Sequence, residues 1–328
     1  MSKFTPIQRP NLGTKLAAGM AMLMLMLMLM LPALAAAPQR KTAAPGFYTH
    51  MLGDFEITAL TDGTSPLPDV DFATNLSPED RDLILERNHF KLPSHFATNA
   101  YLINTGAKLV LVDAGMGVSK QKDWAMGRLL GNLRAAGYEP EQVDEVLLTH
   151  MHPDHVGGLL LDGKPLFPNA LVRADVEELP AWQKRAEAGD AQAKLVVARL
   201  KPYVDAGRFK PFAADTAQAE LLSGVRAVAA HGHTAGHSFF AIESKGQKLM
   251  LWGDLILSDV LQFARPDLRL DLEHDADAIL LVRQRAYAEA AAQGYLIGAA
   301  HISFPGLGRL RADGNSYQWL PLIHSSQP

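Results

Sequence analysis

Four apolar runs in this chain stop at histidine or aspartate, and that repetition limits the folds open to it. "EVLLTHMHPDH" (145–155) closes on three histidines and an aspartate within six residues. "VRAVAAHGHTAGH" (225–237), "KLMLWGD" (248–254) and "YLIGAAH" (295–301) end in the same residue types. Each run is short, apolar and bounded by turn residues, which is the signature of a strand. In a sheet protein with short loops, such strand ends can converge on one edge. A rigid scaffold often carries its chemistry there.

The rest of the chain fills in around these runs. Further strands are expected at 55–60, 100–105, 108–115, 170–175 and 238–244. Helices are expected at 77–90, 123–137, 190–207 and 275–294, the last with Ile279, Val282 and Ala286 on one face and Gly294 as its stop. Strands occur both in adjacent pairs and separated by helices, which points to layered α and β structure with mixed sheets. No composition break follows residue 46, so 47–328 reads as one domain, long enough for a sizeable core.

The start of the chain reads differently. Lys3, Arg9 and Lys15 precede the apolar stretch 16–31, and "PALAAAP" follows. That is the pattern of a secretory signal peptide, residues 1–37, with cleavage after Ala37 preferred over Ala35. The apolar stretch falls short of the roughly 20 residues that span a bilayer. Residues 38–46, "PQRKTAAPG", form a linker. The expected mature protein is secreted or periplasmic, with no stable membrane association. Net charge is −4, without a basic stripe or a block of like charge. Nucleic acid is therefore not an expected partner, and the expected one is a small-molecule substrate.

The chain has no cysteine. Any metal site must use imidazole and carboxylate, ligands that zinc accepts. His150 and His152 are two apart, so an extended backbone puts both on one side. Pro153 bends the chain, and Asp154 and His155 then point elsewhere, toward a second ion. Each half-site needs about one more protein ligand, leaving a position open. His233, Asp254 and His301 supply these, one carboxylate bridging two ions. Either His233 or His237 suits "HGHTAGH"; His231 has no assigned role. His89, His95, His274 and His324 read as ordinary histidines.

"HMHPDH", "GHTAGHS", "WGD" and "AHISFPG", in that order, resemble the metallo-β-lactamase superfamily over residues 50–324. Within it, the chain is most similar to methyl parathion hydrolase and its lactonase-like relatives. That closer likeness lies in "LGDFEITALTDGT" (52–64), "EQVDEVLLTHMHPDHVGGL" (141–159), "FPNALVRAD" (167–175), "GDLIL" (253–257) and "GYLIGAAHISFPGLG" (294–308). The stretch 65–90 departs from it. The resemblance implies an αβ/βα sandwich of two mixed β-sheets with helices on the outer faces, two divalent ions at one end, and a homodimer. It implies that His150, His152 and His233 hold the first ion, that Asp154, His155 and His301 hold the second, and that Asp254 bridges. It favours His233 over His237, whose part is to support the loop. It also draws attention to Asp113, read either as the partner that fixes a ligand histidine's tautomer or as a turn cap. The helix 190–207 would belong to an insertion that shapes the pocket. Zinc is the first choice; manganese, cobalt and iron accept the same donors.

The implied activity is a metal-dependent hydrolase in which a hydroxide shared by two ions attacks a neutral ester, lactone or aryl phosphotriester. Asp254 and Asp154 carry the catalysis, Asp154 as a ligand first and a proton carrier second. Trp182, Leu257, Phe263, Leu272 and Phe304 would line an apolar pocket. No Arg or Lys clamp for an anion is visible near the motifs. Two other readings stay open. A β-lactamase would need a grip for the substrate carboxylate. A metal-binding protein without turnover would be favoured by a missing ligand, and none is missing. A flavo-diiron enzyme usually has Glu where this chain has His152.

Overall fold

The apolar runs become two mixed sheets in the computed structural model, which describes residues 12–29, 37, 39, 41, 44–67, 73–92, 94–118, 124–214 and 219–323. Lys3, Arg9, Ala35, His324 and part of the 38–46 linker lie outside the described residues, as do positions 30–31, 68–72 and 123 of the stretches named above. The chain divides into two units, Met1–Ala44 and Pro45–Pro328. The first holds helix α1 (Leu12–Leu29). Among the described residues, no helix is long and apolar enough to cross a membrane.

In the second unit, β1 (Phe47–Leu52), β2 (Phe55–Leu67), β3 (Ser94–Asn104), β4 (Leu109–Val112) and β5 (Glu145–Leu147) build the first sheet. β6 (Leu160–Leu161) and β7 (Lys164–Pro165) form a separate small hairpin, and β8 (Leu171–Arg173) completes the first sheet beside β5. The second sheet holds β9 (Ala219–Leu222), β10 (Val225–Ala229), β11 (Ser238–Ser244), β12 (Gln247–Leu251), β13 (Leu296–Gly298), β14 (Leu307–Asp313) and β15 (Ser316–Pro321). β4, β5 and β8 run parallel, as do β12 and β13; the other pairs are antiparallel. The helices of this unit are α2 (Pro78–Arg87), α3 (Leu129–Ala135), α4 (Pro153–Val156), α5 (Glu178–Glu187), α6 (Ala191–Asp205), α7 (Asp259–Ala264) and α8 (Ala276–Gln293).

Strand alternation sorts the side chains into three layers. Ile57, Tyr101, Ile103, Val110 and Val112 of the first sheet meet Val225, Phe240, Ile242 and Leu249 of the second between the sheets. On the far face of the first sheet, Leu102, Leu111 and Val146 pack with Leu133 of α3, Trp182 of α5 and Leu200 of α6. Across the molecule, Phe239, Met250 and Trp252 pack with Phe263 of α7 and with Ile279 and Tyr287 of α8. Each fully buried Leu, Ile or Phe contributes about 1.5–3 kcal/mol. The result is the expected αβ/βα sandwich. A satellite cluster of Leu85, Leu261, Leu268 and Leu270 joins α2 to the segment around α7.

Where the elements differ from expectation, a local cause is visible. The helix expected over 123–137 starts only at Leu129. Gly127 is left-handed at φ +83°, and the Asp62 carboxylate takes the amides of Met116, Gly127 and Leu129 at 3.0–3.1 Å. α5 was not anticipated because Pro180 reads as a breaker. It lies in the first helical turn, where backbone amides have no helical partner. β14 and β15 were missed because their outward positions are charged or polar, so neither reads as an apolar run.

Asp62 has no exposure, and three backbone amides depend on it. Each buried donor left unpaired costs about 1–3 kcal/mol. Asp62→Ala is therefore expected to lower the free energy of unfolding by roughly 3 kcal/mol or more, as read by urea denaturation. A fall under about 1 kcal/mol would show that other groups satisfy those amides.

Candidate metal centre

The backbone after β5 places the first histidines. Leu148 N–H donates to Arg173 O at 2.8 Å, and Thr149 N–H donates to Asp113 Oδ1 at 2.8 Å, so the strand runs on in extended form. Met151 is buried in the core, which turns its neighbours His150 and His152 to the other side. Pro153 opens α4, and the helical turn swings Asp154 and His155 away from that pair. From the second sheet, the loop after β10 carries His233, the turn after β12 carries Asp254, and the turn after β13 carries His301. The four strand ends do meet.

Their donor atoms form two groups, His150, His152, His233 and Asp254 in one and Asp154, His155 and His301 in the other, each with its ligand atoms within 4.8 Å of one another. In the first, His152 Nδ1 lies 2.9 Å from Nε2 of both His150 and His233. In the second, Asp154 Oδ2 is 3.6 Å from His155 Nε2 and 3.7 Å from His301 Nε2. Asp254 faces both groups. Its Oδ2 is 2.9 Å from His301, 3.4 Å from His233 and 3.5 Å from His150, and its Oδ1 is 3.1 Å from His155. Two nitrogens about 2.1 Å from one tetrahedral zinc would sit about 3.4 Å apart, close to these spacings.

The donors fit a cation on a stricter ground. His155 Nδ1 is 2.9 Å from the Asp113 carboxylate, to which it donates. In the neutral ring Nε2 then carries a lone pair, aimed at Asp254 Oδ1. Both atoms are buried, and neither has a hydrogen-bond partner among the described residues. Two facing lone pairs repel unless a positive charge lies between them, either a proton on the imidazole or a bound cation in its place.

The electrostatics agree. Burial holds His150 and His152 well below the usual imidazole range, which keeps their nitrogens free to ligate. Burial opposes charge on His155 too, but Asp254, Asp154 and Asp113 outweigh it and push its pKa well above the ordinary value. His233 is likewise pushed up to about 10, burial being overcome by Asp254 and Glu273. Burial would raise Asp254, yet His155, His301 and His150 hold it well below the usual carboxylate range. Asp254 thus draws positive charge from every side.

His237 stands outside the donor set. Its Nδ1–H donates to Ala230 O at 3.1 Å, and its Nε2 accepts the Asp254 amide at 3.1 Å. Both ring nitrogens are therefore engaged in holding the loops, and burial lowers its pKa to about 3. Asp113 makes the contact with a ligand histidine, and its other bonds run to Thr149, 36 residues on, rather than closing a local turn. It accepts from His155 Nδ1 at 2.9 Å, and it takes the Thr149 amide and hydroxyl at 2.8 and 2.9 Å. His231 lies half-exposed, 3.8 Å from Asp175.

Other supports left no mark in the sequence. Glu273 Oε2 lies 2.7 Å from His233 Nδ1. Glu178, with no exposure, takes the amides of Met151 and Gly236, the Trp182 indole and the Thr234 hydroxyl. It thereby joins the two histidine loops. The glutamates of "VEELP" and "LEHD" carry no spacing signal that could have singled them out.

A cavity of about 590 Å3 opens beside His152 and His233. Of the five apolar residues expected to line a pocket, Trp182 and Leu272 do so. Leu257 packs on the α2–α7 cluster, Phe263 lies in the core under α8, and Phe304 lies against the inter-sheet core. His274, read as an ordinary histidine, lines the cavity too. Two cations also reach the wall, Lys184 and Arg185 of α5, whereas no Arg or Lys clamp is visible near the motifs in the sequence. They stand far from the motifs in sequence, and only the fold brings them in. Arg185 lies 4.3 Å over the Trp182 ring and is paired to Asp190 at 2.7 Å. The wall is formed by α5, whereas α6 packs against the first sheet and caps itself with Asp190.

Known proteins share this architecture. The solved structure of the hydrolase AbOPH, of the beta lactamase superfamily, matches with a TM-score of 0.80 at 31% identity, covering 87% of this chain and 100% of that one. AidC, a dizinc quorum-quenching lactonase in complex with a product, N-hexanoyl-L-homoserine, matches at 0.77 and 28% identity, covering 86% and 99%. The atrochrysone carboxyl ACP thioesterase of Passalora fulva is 31% identical over 161 residues, 49% of this chain and 38% of that protein. The beta-lactamase-like protein 2 homolog of Caenorhabditis elegans is 28% identical over 162 residues, 49% and 45%. The matches to these curated relatives span less than half of their lengths. The family model for the metallo-beta-lactamase superfamily matches residues 94–285, more than half of the chain and all the candidate ligands except His301, and the chain therefore belongs to the metallo-β-lactamase superfamily.

Proposed function

We propose that the chain is a metal-dependent hydrolase of neutral, largely apolar esters, lactones or aryl phosphotriesters. The observation that carries this is the pair of donor groups around Asp254, set beside a cavity walled by Trp182 and Leu272. His150, His152 and His233 would hold one divalent ion, and Asp154, His155 and His301 a second, with Asp254 shared. Bound there, zinc or a similar ion would polarise the scissile carbonyl or phosphoryl oxygen and make water a better nucleophile near neutral pH.

The chain's own residues supply the rest. Trp182 and Leu272 take the acyl or aryl group out of water. Asp154 is the carboxylate that meets solvent, its side chain 18% exposed against 4% for Asp254. Thr98 Oγ1 lies 3.5 Å from Asp154 Oδ2 and steadies it as a proton carrier at the mouth of the site. Lys184 favours a second reading, β-lactamase. It is exposed on the cavity wall with no ion pair among the described residues, where a substrate carboxylate would meet it.

A substrate panel separates the two. The kcat/KM of the best neutral aryl ester, lactone or phosphotriester should exceed that of a penicillin or a phosphodiester by about 100-fold, roughly 2.7 kcal/mol. Arg185 is engaged with Asp190 and the Trp182 ring, so an anion would have one exposed lysine to offset its desolvation beside Trp182 and Leu272. A penicillin as best substrate would establish the β-lactamase reading, and no turnover on any member would support a metal-binding protein without catalysis.

A further inference from the structure

Behind His233 lies a buried ion pair that the hydrolytic chemistry does not use. The Glu273 side chain is 1% exposed, and its Oε2 is 2.7 Å from His233 Nδ1. Its Oε1 lies 3.6 Å from Arg283 Nη2. Arg283 comes from the face of α8 that is otherwise Ile279, Ala286 and Tyr287, and it has no exposure. Its other donors reach Leu268 O at 2.6 Å and Leu255 O at 3.3 Å. Leu255 directly follows Asp254. One guanidinium therefore touches both the carboxylate behind one candidate ligand and the backbone beside another.

Such a pair is a poor way to gain stability, because desolvating both charges offsets their attraction and apolar packing would serve as well. Its value is positional. The backbone repeats the link, with Asp275 N–H donating to Gly232 O at 2.8 Å and His274 N–H donating to His233 O at 3.2 Å. The second donor group has its own carboxylate, Asp113, behind His155. Asp113 also reaches His150 of the first group through the Thr149 hydroxyl, which lies 2.9 Å from Asp113 Oδ2 and 3.1 Å from His150 Nδ1, whereas the Glu273 carboxylate meets a ligand ring only at His233.

We propose that Glu273 and Arg283 form an ionic clamp that sets the metal affinity of the His150–His152–His233 group and leaves that of the Asp154–His155–His301 group unchanged. This rests on reading those residues as metal ligands. By accepting the Nδ1 proton, Glu273 leaves Nε2 of His233 with the lone pair and makes it a stronger donor. Arg283 Nη2 faces the other carboxylate oxygen at 3.6 Å without a hydrogen bond, so its charge favours the orientation in which Oε2 meets His233. Both act as positioning residues.

The test is cobalt(II) titration of the full chain after chelator stripping, followed by visible absorption and by competition with a chromophoric chelator. The wild type should take up two equivalents. Glu273→Gln keeps the shape and loses the charge. It should weaken one equivalent by about 10–100-fold, change that equivalent's absorption bands, and leave the other as in the wild type. Arg283→Lys should weaken the same equivalent more than the other, whereas Asp113→Asn should weaken both, since Asp113 touches His155 directly and His150 through Thr149. If Arg283→Lys does not fold, Glu273→Gln decides alone. A folded Glu273→Gln chain that binds both equivalents like the wild type would overturn the clamp, as would equal weakening of both. Fewer than two equivalents in the wild type would overturn the two-ion reading, and the clamp with it.

Discussion

Asp254→Ala should abolish hydrolysis of every substrate, with kcat/KM falling at least about 10,000-fold, roughly 5.5 kcal/mol. The Asp254 carboxylate faces both donor groups. Its Oδ2 lies 2.9 Å from His301 and 3.4 Å from His233, and its Oδ1 lies 3.1 Å from His155. Alanine would leave the buried imidazoles of both groups without their shared anion, so both groups would lose affinity for a cation at once. The measurement is turnover of an ester, a lactone and a phosphotriester alongside bound metal per chain. Survival of one activity would mean that the substrates use separate centres.

His233→Ala should cost at least about 1,000-fold in kcat/KM, roughly 4 kcal/mol, and should weaken metal uptake. His237→Ala should cost only about 10–100-fold, the usual effect of a group that orients a ligand. The two rings sit in one loop, but their nitrogens have different duties. Nε2 of His233 faces His152 and Asp254, whereas both nitrogens of His237 are bound to backbone, at Ala230 and Asp254. Removing His237 strands a buried amide and a buried carbonyl, so its variant should lose about 1–3 kcal/mol of stability while staying active. Thermal denaturation and turnover on both variants decide the matter, and the opposite order of activity would move the ligand to His237.

The candidate site was readable in advance because it is built from short-range chemistry. Histidines at 150, 152 and 155 owe their directions to a strand, a proline and one helical turn, all local. His233, Asp254 and His301 each lie within four residues of a strand's end, and parallel neighbours such as β12 and β13 bring such ends together. The residues that hold those ligands were not readable. Glu273, Glu178 and Arg283 act across long gaps in the chain, and a lone buried charge looks like any surface charge until its partners are known. The cavity wall failed for the same reason. Lys184 and Arg185 come from α5, a helix obscured by Pro180, while Phe263 and Phe304 follow the motifs in sequence yet turn into the core. Secondary structure was clearest where one face is apolar and least clear at β14 and β15, whose outward positions are charged or polar.

The donor groups draw from both sheets. His150, His152, Asp154 and His155 leave the first, while His233, Asp254 and His301 leave the second. A cation bound among them would be a fastener across the seam between the two sheets, in a chain that has no cysteine to form a covalent one. A ligand that binds only the assembled form adds stability as RT ln(1 + [L]/Kd), about 2.7 kcal/mol when free metal is a hundred times Kd. Depriving the protein of metal would therefore loosen its halves as well as silence it. Its lifetime in the folded state would be set by metal supply as much as by temperature.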